Sequence, residues 1–397
     1  MSGLLGYFSW DRTKTADPKI REQAEEKRQP VRALPASWYT SPDMYEFERR
    51  AVFANRWLFM TTELRLPNAG DYVRYQFAGY DVIIIRDQDN EITAFHNTSK
   101  QSHKTLIEND TTEACGNIDL ASFPTSPDAV FPIHVHMDRN GFIWINLDAS
   151  SPPSIPFDEC FNDVDVQARY ASLDFSAYNL HHISTLRATY NWKVAADNFN
   201  ECYHCPTTHA DIPAFLDLAT FDSALRDSHI QHFCAPTPDQ IALGVNVHST
   251  YLFPAASLTV GAHFLMVQKF LPTSAGSCIA HYEIFRGRHS SDEDFHRIAD
   301  MYARVMQEDK VLCDAAQRNL ARGVFGAGLL HPVFEKAPVF FQRHCRAVVR
   351  AHWDREEREG RAVHPAMRDG LCFGPVHGAG VEAGGGSLWR RREEENL

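Results

Sequence analysis

Between Trp38 and Trp57 the apolar residues Met44, Phe47, Val52, Phe53 and Trp57 recur at roughly helical spacing among acids and bases, which predicts a short helix. Beyond it the period shortens. DYVRYQFAGYDVIIIRDQDNEITAFHN alternates or runs β-branched, with AGY and DQDNE as turns, and AVFPIHVHMDRNGFIWINLDA repeats the pattern around the tight turn DRNG. Residues 60–150 therefore read as a small all-β region of antiparallel strands, entered through that helix. SPPSIPFDECFNDV then has the composition of a linker. Strand signals return around 178–195, from Val260 to Phe270 and from Cys278 to Phe285. Trp192, Ala195, Ala196, Phe199 and Tyr203 fall three to four apart and predict a helix running to His204, which Pro206 breaks or kinks. The longest helical pattern, Asp294 to Leu320, carries Phe295, Ile298, Met301, Val305, Leu312, Ala316 and Leu320. APVFFQRHCRAVVRAHW is expected to close the fold as a strand. The expected class is α+β, in four segments: a polar arm over 1–35, a β domain over 36–155, a mixed domain over 156–355, and a charged, glycine-rich, disordered tail over 356–397.

Composition narrows the function. A chain of 397 residues with 44% hydrophobic residues can bury one or two cores. Its net charge of -12 and lack of a large Lys/Arg cluster argue against a nucleic-acid surface. No run of apolar residues approaches the length of a membrane span. The start lacks the basic, apolar and small-residue regions of a secretory signal, so a cytoplasmic location is expected. The nine cysteines are odd in number and scattered, which predicts a reducing compartment and no disulfide framework. The one close pair, Cys202 and Cys205, alone suggests thiol redox chemistry or half a zinc site, but no second pair completes a four-ligand set.

That pair lies in DNFNECYHCPTTH, where His204 and His209 stand five positions apart and Glu201 precedes the first by three. Residues five apart on an ideal helix do not meet. A helix ending at Pro206 can fold its next turn back and bring His209 to His204. With a carboxylate from elsewhere they would form the 2-His-1-carboxylate set of non-haem Fe(II) oxygenases. The bland alternative makes His204 a helix end and His209 a loop residue. QEDKVLCDAAQ offers Glu308, Asp309 and Asp314, and Asp309 falls at the edge of the apolar stripe of its helix. Other histidines carry weaker signals. His134 and His136 share a strand face without a third partner, His181 and His182 precede a strand, and His229 and His232 fall in a predicted solvated loop. His248 and His263 lie on or beside strands, and Glu335 and His344 fall near the closing strands.

At these residues the sequence resembles the catalytic alpha subunit of Rieske-type non-haem iron oxygenases, in the branch of choline and carnitine monooxygenases. LPASWYTSPDMYEFERRAVFANRWLFM, the strand run ending AFHN, GFIWINLD, NWKVAADNFNECYHCPTTH, QEDKVLCDAAQRNL and GLLHPVFEKAPVFFQRH carry the resemblance over about residues 33–350. It implies a Rieske-like β domain and a helix-grip catalytic domain, with ferrous iron on His204, His209 and Asp309. Asp314 is the fallback carboxylate. Glu201, or else Asp197, matches the acid that passes electrons between subunits, and Asn198 and Tyr203 line or support the pocket. A homotrimer acting on a small molecule is further implied. The Rieske part departs from the family. Such a [2Fe–2S] centre needs two Cys and two His. Ser99 and Gln101 stand where the first Cys and His belong, and neither His103 nor Cys115 rebuilds the second pair. The expectation is an iron oxidoreductase with a degenerate Rieske domain, no [2Fe–2S] cluster, and electrons from the substrate or an external reductant. The alternatives are a non-redox metalloenzyme, whether hydrolase, lyase or isomerase, and a non-catalytic partner of a competent oxygenase.

Overall fold

The computed structural model describes residues 30–108, 113–121, 123, 128–210, 212, 216–242 and 246–368. Among them the strands form two seven-stranded sheets and one two-stranded sheet, with antiparallel pairing throughout. The first contains β1 (Leu58–Thr62), β2 (Asp71–Phe77), β3 (Tyr80–Arg86), β4 (Ile92–Ser99), β5 (Glu113–Asn117), β6 (Val130–Met137) and β7 (Phe142–Asn146), in the spatial order β1-β7-β6-β4-β3-β2-β5. Its turns follow the residue chemistry. Ala78 and Gly79 both take positive φ between β2 and β3, the backbone of a two-residue hairpin. Asn90 and Gly141 do the same at the DQDNE and DRNG turns.

The second sheet contains β8 (Tyr178–Ala188), β9 (Asp222–Leu225), β10 (His229–Phe233), β11 (His248–Leu252), β12 (Ala256–Gly261), β13 (Phe264–Ser274) and β14 (Ser277–Gly287). The order is β9-β10-β11-β12-β13-β14-β8, so β8, first in sequence, is placed last, beside β14. The two sheets meet through a buried polar joint. Glu283 on β14, fully buried, accepts from Thr61 (2.8 Å), Arg65 (2.8 Å), Tyr75 (2.6 Å) and Lys269 (2.7 Å). Burial raises the Glu283 carboxyl, but Lys269 and Arg65 outweigh it and hold it at about 2.

Several expectations are corrected. The closing segment is a helix, α6 (Lys336–Glu359), rather than a strand. Its buried residues Phe341, Cys345, Val348, Val349 and His352 recur three to four apart, a helical stripe that the unbroken apolar run APVFF obscures. The supposed linker belongs to the main core: Phe157–Phe161 form helix α2, and Phe157, Cys160, Phe161 and Val164 pack with Phe59, Phe142 and Trp144 of the first sheet and Leu258 and Phe285 of the second. The expected tail is helical up to Glu359, and 369–397 lie outside the described residues. Of the expected arm, Val31–Arg32 pair with Leu329–Leu330 and Leu34 is buried, while 1–29 lie outside the described residues. No helix is long and apolar enough to cross a membrane, among the described residues.

Candidate metal centre

Helix α3 (Trp192–Phe199) is seated before it presents anything to a ligand. Asn191 caps it by accepting from the Lys193 N–H at 2.9 Å, and its own N–H donates to Gln317 of helix α5 (Asp292–Ala321) at 3.0 Å. On the buried side the Trp192 indole and the Lys193 ammonium donate to Glu48 at 3.1 and 2.9 Å, and Glu48 ends helix α1 (Pro42–Glu48). Asp197, the less favoured alternative to Glu201, faces this scaffold. It accepts from the Tyr39 hydroxyl at 2.6 Å and from Gln342 at 2.9 Å. Burial pushes its carboxyl up to about 6.

The helix stops at Asn200, earlier than the apolar spacing predicts. The Asn200 N–H closes the last helical bond onto the carbonyl of Ala196 at 3.1 Å, and its side-chain amide donates to the same carbonyl at 2.9 Å. Glu201–His204 form a bend in which the Glu201 carboxylate accepts from the Tyr203 N–H. A single helical turn, α4 (Cys205–Thr208), follows, with His204 before it and His209 after it. Pro206 therefore starts this turn rather than ending the preceding helix, as suits a residue lacking an N–H. The two imidazoles meet edge to face with ring centres 5.0 Å apart.

Helix α5 supplies the acid. Asp309 Oδ1 lies 3.3 Å from His204 Nε2 and 3.2 Å from His209 Nε2, and accepts from the Asn198 amide at 2.8 Å. Behind the rings, His204 Nδ1 meets Glu201 at 2.6 Å and His209 Nδ1 meets Glu308 at 2.8 Å. A carboxylate only accepts, so each Nδ1 carries a proton, and each Nε2 faces Asp309 as the nitrogen that would ligate once its own proton is displaced. Asp314, the fallback, is engaged elsewhere, by the Thr189 N–H (2.8 Å), the Thr189 hydroxyl (2.7 Å) and Lys310 (2.6 Å).

The electrostatics favour positive charge here. Burial alone would lower the His204 imidazole, but hydrogen bonds to Asp309 and Glu201 lift it to about 10. His209 is raised against burial by Asp309 and Glu308. Burial would raise Asp309, yet the two histidines hold it far below the usual carboxylate range. Protons occupy the place where a cation would exchange with them. Cis ligands about 2.1 Å from one ion sit about 3 Å apart, so the separations of 3.2 and 3.3 Å fit a metal with little movement.

A cleft opens beside these groups. Phe199, Phe221, Phe233 and Tyr302 give it aromatic walls, Ser249, Thr259 and Gln268 give it polar points, and no Lys or Arg is among the described residues lining it. His232 also lines it, which corrects the expectation of a solvated loop. His229 and His232 lie buried on β10, and His232 Nε2 donates to Asn200 at 3.0 Å. The sequence offered no signal for this, because the partner that makes the burial tolerable is distant in the chain. Glu308 was visible only as one of three acids, and its place behind His209 required the fold.

The remaining histidines sit elsewhere. His134 meets the Ser150 carbonyl at 2.7 Å, and His136 stacks on Phe157 with centres 3.7 Å apart. His181 and His182 are exposed within β8 rather than before it. His248 begins β11, and His263 bonds the Ser290 hydroxyl at 3.0 Å. Glu335 accepts from the His331 N–H at 2.6 Å, and His344 packs edge-on to Phe253. The cysteine expectation is corrected at one place: Cys202 and Cys205 form a disulfide. In the first sheet, Ser99 accepts from the Ser102 N–H at 3.2 Å, His103 is exposed with φ 58°, and Cys115 is exposed on β5.

The ring-hydroxylating alpha subunit (catalytic domain) family matches residues 175–240 and 237–351. A carnitine monooxygenase oxygenase subunit of Acinetobacter baumannii is 26% identical over 341 residues, covering 74% of this chain and 87% of its own. A chloroplastic choline monooxygenase of Beta vulgaris is 22% identical over 342 residues, covering 78% and 75%. Among solved structures, a quaternary ammonium Rieske monooxygenase in complex with L-carnitine superposes with a TM-score of 0.68 at 21% identity, over 81% of this chain and 96% of the other. Naphthalene 1,2-dioxygenase with bound indole gives 0.62 at 17% identity, over 80% and 92%. The chain is an oxygenase-like enzyme, similar to ring-hydroxylating alpha subunits over its second region and to the oxygenase subunits of carnitine and choline monooxygenases over about three quarters of its length.

Proposed function

From that kinship and this geometry we propose a mononuclear non-haem iron oxygenase that works without an internal Rieske relay, as an assembly of identical chains. One observation carries the reading: His204 Nε2, His209 Nε2 and Asp309 Oδ1 converge at 3.2–3.3 Å while Glu201 and Glu308 hold both rings from behind. Ferrous iron held by these three would supply dioxygen activation at its open positions. Asn198 steadies the Asp309 oxygen, and Glu201 keeps His204 in the ligating tautomer and stands at the cleft wall as a proton acceptor.

The absence of the cluster rests on ligand chemistry. An alcohol at Ser99 and an amide at Gln101 do not replace thiolate and imidazole. Among the described residues, the one group of His, Cys and acids close enough to share an ion lies around His204, Cys205 and His209, outside the first sheet. The segments of the β region outside the description, 109–112, 122 and 124–127, contain no Cys or His. Electrons then come from the substrate or an external reductant. For hydroxylation, two electrons and two protons are needed to reduce the second oxygen atom to water.

The cleft favours a small, mainly apolar substrate with one uncharged polar group. Its lining has no cation to pair with a carboxylate. Burial keeps His232 down at about 3, so its ring is neutral and adds no charge to the lining, while Ser249, Thr259 and Gln268 supply its polar points. Anaerobic loading followed by metal and sulfide analysis tests the central reading. The expected result is about one iron per chain without acid-labile sulfide. Stoichiometric sulfide, or no bound iron, would overturn it. Thermal shifts test the substrate class: indole raises the melting temperature and L-carnitine does not.

A further inference from the structure

The Cys202–Cys205 disulfide closes within the wall of the cleft, and both cysteines line it. Cys205 Sγ lies 4.0 Å from His204 Nε2, the same nitrogen that faces Asp309. The sulfur and one ring nitrogen from each of His204 and His209 all fall within 4.8 Å of one another. Donors bound to one tetrahedral ion at about 2.3 Å for sulfur and about 2.1 Å for nitrogen are about 3.6 Å apart. The gap to be closed toward His204 is therefore a few tenths of an ångström, and toward His209 at most about 1.2 Å. The bridge to Cys202 is what prevents that closure and withholds the thiolate.

We infer that Cys205 is a redox-released fourth metal ligand, freed when the bridge to Cys202 is reduced. The inference rests on the metal centre proposed above. A dithiol reductant supplies two electrons and two protons, the S–S bond breaks, and two thiols form while the reductant becomes a disulfide. On ligating, the Cys205 thiol gives its proton to solvent and binds as thiolate. The bridged protein offers two imidazoles and a carboxylate with positions left open. The reduced protein offers a closed N2OS set, a combination that suits zinc better than an iron site needing room for dioxygen. Cys202, half-buried at the cleft, is the thiol that re-forms the bridge and restores the open site.

Cobalt(II) separates the parts of this inference without reference to turnover. Apo-protein is prepared bridged, or reduced with a water-soluble phosphine and desalted under argon, and then loaded with cobalt. Visible d–d bands in both forms report the His204, His209 and Asp309 centre. A near-ultraviolet thiolate-to-cobalt band is expected in the reduced form and not in the bridged one. Cys202→Ser, which leaves Cys205 free, shows the band with or without phosphine. Cys205→Ser shows d–d bands alone in both states, which excludes the other cysteines as its source. Absence of the charge-transfer band in both the reduced wild type and Cys202→Ser, with d–d bands intact, overturns the inference. Absence of the d–d bands overturns the metal-centre reading itself.

Discussion

The two sheets keep their inheritance differently. Around the second, every group a metal would require is gathered and braced: two Nε2 atoms, one carboxylate oxygen and an acid behind each ring. In the first, the turns, hydrophobic strands and aromatic contacts to the rest of the core persist, while the residues at its expected ligand positions are an alcohol, an amide and exposed side chains. Packing and chemistry impose separate demands on a sequence. The first sheet meets the packing demand with other side chains at those positions.

The largest test of that contrast is His204→Ala. It should abolish stoichiometric iron and oxygen consumption while leaving the circular dichroism spectrum intact, as measured on the purified protein. A variant that kept its iron would move the centre elsewhere. Next comes the joint between the sheets. Glu283→Ala strands Arg65 and Lys269 in the interior and should cost about 3–5 kcal/mol in denaturant unfolding. Its pH signature has a definite sign. Because the folded carboxyl is held at about 2, below its unfolded range, its stabilisation is complete above about pH 4.3 and fades as pH falls toward 2. Urea titrations of wild type and Glu283→Gln should converge as the pH falls through that window. Glu308→Gln is smaller: iron affinity should fall about 10- to 100-fold in competition with a chelator, with the ligands themselves unchanged. Smallest of all, Cys115→Ser and His103→Ala should shift stability by no more than about 0.5 kcal/mol and leave metal content alone. A loss of iron or colour in either would restore a metal role to the first sheet.

Much of this was legible in the chain. The turns AGY, DQDNE and DRNG marked the hairpins because positive φ restricts which residues can stand there. Helix α5 was visible from its apolar spacing. His204, His209 and Asp309, which the structure brings together, were all named from motif and resemblance, and spacing alone could not choose between Asp309 and Asp314. That choice depends on which face of α5 meets α3. The segment 337–353 misled because a continuous apolar run has no period to read. The segment 151–164 misled because proline and serine gave a linker-like composition to residues that fill the core. Buried His232 was hidden by its dependence on Asn200, and Glu308 by its likeness to any exposed helical acid.

The carboxylate at the joint has a lineage consequence. A descendant that shed the first sheet would forfeit three of the four donors around one interior anion in a single deletion. Each donor removed leaves the buried charge less compensated, so the first sheet cannot be trimmed piecemeal without cost.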